Sequence, residues 1–74
     1  MSNTTTLYGG KAVQTPLGTP IRLLDGSRVA HAGTIAAMHD VAGHVIADTP
    51  DGRFLAWDLV KDGPRFVALS WRRM

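Results

Sequence analysis

His31, His39 and His44, together with Asp40, Asp48 and Asp58, are the residues of this chain that could bind a metal or move a proton. His39 and His44 flank a short turn, so both can approach one point. No two histidines stand four apart as on one face of a helix, and the chain has no cysteine. The spacing therefore carries no zinc pattern, and neither a metal nor another cofactor is expected. His44 and Asp58 fall opposite each other if residues 43–60 form a hairpin, and an imidazole facing a carboxylate is the start of an acid–base pair. A third member is missing: there is no cysteine nucleophile and no serine in a Gly-x-Ser-x-Gly setting. The plainer reading is a polar contact that ties the hairpin. Gly9-Gly10-Lys11 resembles only the end of a phosphate loop. The earlier glycine is absent, and Ala12 stands where Ser or Thr is required. The chain thus reads as non-enzymatic.

Binding is the class that remains. One surface is the mixed face of the central hairpin, with His44, Ile46, Asp48, Arg53, Phe54 and Asp58. An exposed aromatic beside an arginine is the composition of a protein-binding hot spot. A module of this kind acts by occluding a larger partner, as an accessory or inhibitor protein docked on an enzyme does, or by lending a strand edge. The alternative surface is Arg65, Trp71, Arg72 and Arg73, where an aromatic lies beside guanidinium groups. Small barrels bind single-stranded nucleic acid by stacking bases on exposed rings along a basic groove. Against this, the net charge is only +2, from 8 Lys+Arg and 6 acidic residues, all of them Asp. The Asp residues are scattered among the bases, and Trp57 and Trp71 both fall on expected core faces. A protein partner is the first expectation and nucleic acid the second.

The element that must position the first surface runs from Gly43 to Val60. Two apolar runs flank Thr49-Pro50-Asp51-Gly52, where proline presets the turn and glycine can take the left-handed conformation. This predicts a three-residue hairpin loop with a glycine bulge and Thr49 opposite Arg53. On that register Val45 faces Trp57 and Ala47 faces Leu55 across the core. Asp48–Phe54, Ile46–Ala56 and His44–Asp58 then share the other side.

Other strands read from the same signals. Ile21–Leu24 and Ser27–Ala30 flank Asp25-Gly26, a two-residue hairpin that sets Leu23 against Arg28 and Arg22 against Val29. Lys61–Pro64 is a turn, and Arg65–Trp71 a strand with Val67, Leu69 and Trp71 on one side and Phe66, Ala68 and Ser70 on the other. Lys11–Gln14 is a short strand, and Thr15–Pro20 a loop. Thr34–Met38 reads as a strand. A helix over 34–42 is the alternative, with Thr34 as N-cap and Gly43 as C-cap.

Composition favours the strand. The chain has no Glu, only two Lys and 8 Gly, so it lacks the best helix-forming surface residues. The sum is an all-β fold: a small antiparallel meander of four to five strands closing into an SH3-like barrel. With a helix at 34–42 it becomes α+β. Residues 1–6 read as a polar, disordered tail and 7–74 as one domain.

A chain of 74 residues buries only about 60 % of its unfolded surface. Good packing or a partner chain must make up the difference, which leaves monomer and homo-oligomer both open. No apolar run approaches the ~20 residues of a membrane span. The first residues, Met-Ser-Asn-Thr-Thr-Thr, lack the basic and hydrophobic regions of a signal peptide. The expectation is a soluble cytoplasmic protein without a membrane partner.

Overall fold

The computed structural model describes residues 5–8, 11–14, 17–39 and 43–74, with side chains described from Leu17 onward. Two short strands, β1 (Thr5–Tyr8) and β2 (Lys11–Gln14), pair antiparallel. Five more close into a barrel in chain order: β3 (Pro20–Asp25), β4 (Arg28–Met38), β5 (Val45–Thr49), β6 (Gly52–Asp62) and β7 (Arg65–Arg73). The described residues contain no helix. The fold is all-β, a small barrel consistent with the SH3-like class. β1 begins at Thr5, inside the stretch read from sequence as a tail, and residues 1–4 lie outside the described residues. Thr34–Met38 belongs to β4, so the helical alternative is not adopted there. Residues 40–42 of that alternative lie outside the described residues.

A meander reverses direction at every turn, so its first and fifth strands run the same way and its closing seam must be parallel. Ile21, Leu23 and the intervening Arg22 pair in parallel with Phe66, Ala68 and Val67. This seam pairs the β3 and β7 edges that an open sheet would expose. Inside lie Ile21 and Leu23 of β3, Ile35 of β4, Val45 and Ala47 of β5, Phe54 and Ala56 of β6, and Phe66 and Ala68 of β7. Met38, Leu59 and Trp71 pack against this core.

Two hairpins differ from their expected registers, and turn chemistry explains both. In β3–β4 the loop is Gly26-Ser27, with Asp25 opposite Arg28 and Gly26 at φ 66°. A positive φ at the first loop position is the II′ arrangement, which needs glycine only there. In β5–β6 the loop is Pro50-Asp51, with Thr49 opposite Gly52. The Thr49 hydroxyl accepts from the Asp51 amide at 3.1 Å and donates to the Gly52 carbonyl at 2.9 Å. These bonds close the turn one residue early, and Gly52, at φ 125°, joins the ladder instead of forming a bulge. A shift of one residue turns a strand over. Phe54 and Ala56 therefore face the core, and Trp57 does not share their side.

A five-stranded barrel must bend its long strands. β4 pairs with β3 up to Thr34 and with β5 from Thr34 on. At this corner Gly33 faces inward beside Ile21, and a Cβ there would strike the Asp48 carbonyl oxygen and lie 2.8 Å from its carbon and 2.9 Å from Thr49 Cα. Only glycine lets the two backbones approach so closely. β6 and β7 bend together at Asp58, which sits at φ 56°. Core contacts step by three residues, from Ala56 to Leu59 and from Ala68 to Trp71. The simple alternation expected along β7 breaks there. Trp71 consequently packs on the core together with Phe66 and Ala68 instead of opposite them.

Candidate binding surface

The six residues proposed from sequence as one hairpin face are divided by the observed register. Asp48 and Arg53 stand directly opposite each other, with Nε to Oδ1 at 3.8 Å and both side chains more than half exposed. A pair of that kind contributes little. Ile46 is half-buried opposite Leu55. His44 meets the indole of Trp57, ring centroids 5.6 Å apart. Asp58 lies on the bend, where its carboxylate accepts from the Ser70 hydroxyl at 3.1 Å. The expected cross-strand partner of His44 is therefore displaced by one position.

Phe54 is the main correction: it is 1 % exposed, a core residue and not a surface aromatic. Its ring stacks on His31 at 4.4 Å, meets Trp71 edge-on at 5.5 Å and lies 4.8 Å beneath the Arg73 guanidinium.

Those contacts form a closed cluster at the barrel end that carries the β5–β6 turn. His31 Nδ1 lies 2.8 Å from Asp51 Oδ2, and its ring also meets Trp71 at 5.2 Å. Trp71 Nε1 donates to the Leu24 carbonyl at 2.8 Å. Arg73 donates to the Asp51 carbonyl at 2.7 Å. Each polar group is held by a neighbour, so the cluster ties turn to barrel. Of the expected nucleic-acid residues, Trp71 and Arg73 are committed here, and Arg65 bonds Asp62 at 3.0 Å. Arg72 remains exposed beside an open groove of about 360 Å³ lined by His39, Leu55, Arg72, Arg73 and Met74. The rings of His39 and His44 stand 6.3 Å apart. Among the described residues no three His, Cys, Asp or Glu side chains converge as a metal site would require.

The surface that sequence reasoning missed is the outside of β6, β7, β3 and β4. Val60 pairs with Val67, Val67 with Arg22, and Arg22 with Ala32, which makes one row across four strands. One outward position further along are Leu69 on β7 and Leu24 on β3, and Leu24 pairs with Val29 on β4. Val29 and Val60 are each 47 % exposed and Leu69 55 %. With strands about 4.8 Å apart, the row spans roughly 15 Å. A signal for it exists in the sequence. Leu23-Leu24, Leu59-Val60, Phe66-Val67 and Ala68-Leu69 put apolar residues on both sides of their strands, and one barrel has only one interior.

The chain matches no family model, and comparison with curated proteins and with solved structures finds no match.

Proposed function

We propose that this chain is a small non-enzymatic binding module that acts through a protein interface, in the manner of an accessory or inhibitor protein docking on a larger one. The observation that carries the reading is the apolar outer face of β6, β7, β3 and β4. Contiguous apolar patches of this kind are the usual mark of an interaction site. The hairpin residues Ile46, Asp48, Arg53 and His44 lie outside this face, Asp58 stands at its edge level with Leu69, and buried Phe54 is not offered as a contact. The nucleic-acid alternative has less support. Base stacking needs an open ring face, whereas the Trp71 ring is packed against Phe54 and His31.

The test is affinity capture with the wild-type chain and with the double variant Val60→Lys, Leu69→Lys. Both positions are exposed, so the variant is expected to keep its circular dichroism spectrum and its melting temperature within a few degrees. Loss of a captured protein by the variant supports the reading. A partner recovered equally by both chains would remove this face as the interface.

A further inference from the structure

The apolar face has a charged centre. Arg22 stands between Val67 and Ala32, with Val60 beyond Val67 and Leu24 two residues along its own strand. Its side chain is exposed and makes no ion pair or hydrogen bond with another described residue. Two carboxylates on the same strands have partners of their own, and a third sits at the end of β3. Asp62 accepts from Arg65 at 3.0 Å and Asp58 from Ser70 at 3.1 Å, while Asp25 lies at the turn opposite Arg28. A guanidinium is a planar fork of donors matched to a carboxylate, and that match strengthens when apolar neighbours exclude water.

We infer that this face docks a partner segment that presents a carboxylate among apolar side chains. The carboxylate meets Arg22, and the apolar groups cover Val60, Val67, Leu69, Leu24 and Val29. The inference rests on the protein-interface reading above and names the chemistry of its partner. Two nearer occupants fit less well. Residues 1–16 contain neither Asp nor Glu, so that segment brings no carboxylate. A second copy docked about a two-fold axis that passes through the centre of the face would set Arg22 against its own copy.

The experiment uses the full chain, labelled with nitrogen-15, and two synthetic peptides of equal length. One alternates Leu with Asp and the other Leu with Lys. The Leu-Asp peptide is expected to shift the amides of Arg22, Leu24, Val67 and Leu69. It should bind at least tenfold more tightly than the Leu-Lys peptide, with an affinity that falls as salt is added. Arg22→Glu, an exposed substitution, should reverse that preference. Equal binding of both peptides at this face overturns the carboxylate inference and leaves the docking face standing. No shift at these residues with either peptide overturns both. Sedimentation of the wild-type chain supplies one more outcome: self-association abolished by Leu69→Lys assigns the face to a second copy and overturns the inference.

Discussion

Gly33→Ala tests the barrel where two backbones come closest. The new methyl carbon would meet the Asp48 carbonyl oxygen and lie 2.8 Å and 2.9 Å from the Asp48 carbonyl carbon and Thr49 Cα. Carbon atoms settle at about 3.5 Å or more, so the end of β5 must move outward by roughly 0.6 Å on its carbons and further at the oxygen. All three obstacles are backbone, and no rotamer change relieves them. Overpacking costs about 1–3 kcal/mol where side chains can adjust, so a cost of about 3 kcal/mol or more is expected here. At roughly 0.1 kcal/mol per residue the whole fold is stable by about 7 kcal/mol, and nearly half of that disappears. The control is Gly63→Ala. Gly63 has φ 63° and nothing within 4 Å of an added Cβ, so only the left-handed backbone is penalised, by about 1 kcal/mol. Urea unfolding of both variants reads the difference. With m near 1 kcal/mol/M for a small domain, Gly33→Ala should lower the midpoint by about 3 M and Gly63→Ala by about 1 M. If Gly33→Ala is unfolded in water, the same pair is compared in a stabilising osmolyte, which strengthens burial for both. A Gly33→Ala cost equal to or below that of Gly63→Ala would refute the close-approach argument.

Two further predictions concern the closed cluster and the bend. His31→Ala removes a ring that stacks on Phe54 and meets Trp71 edge-on, and should cost about 2 kcal/mol. Asp51→Ala, at a carboxylate 61 % exposed, should cost under about 0.5 kcal/mol; equal losses in thermal melts would show that the polar contact, not the packing, holds the cluster. At Asp58, whose φ of 56° is strained for a branched side chain, Asp58→Val should cost about 2 kcal/mol and Asp58→Asn little. Similar midpoints in urea for the two would contradict that placement.

The all-β class, the barrel and most strand positions were legible because turn residues and apolar alternation point to the same answer. The faces of β6 were less legible, for a local reason. Pro50-Asp51-Gly52 suits either a two-residue loop or a three-residue loop with a bulge, and only the Thr49 hydroxyl, bonded to both Asp51 and Gly52, decides between them. That one residue moved Phe54 from the surface to the core. In β3–β4, Asp25-Gly26 read as the loop because Asp-Gly suits a turn with two positive φ values, whereas the chain uses Gly26-Ser27 and absorbs the offset at a bulge beyond Leu23. The three-residue step at Asp58 has no sequence signal beyond Asp itself, one of the few residues that tolerate a positive φ. The cluster around His31 was hidden because its members are far apart in the chain and meet only after closure.

Closure also decides how this chain can recognise anything. Lending a strand edge is one general way for a small β domain to bind, but each strand of the barrel already has two neighbours, including the parallel seam between β3 and β7. β4 before Thr34 is laddered only to β3 and β6 after Ala56 only to β7; elsewhere recognition by the barrel must come from side chains on its outer surface. There the doubled apolar positions matter, because an exposed apolar sheet face invites aggregation unless charges interrupt it. Arg22 in the middle of the face supplies such an interruption. A charge placed only for solubility would serve equally well as Asp or as Arg. The two roles separate under charge reversal: Arg22→Glu leaves a purely solubilising position unchanged in behaviour, whereas a recognition position changes its partner.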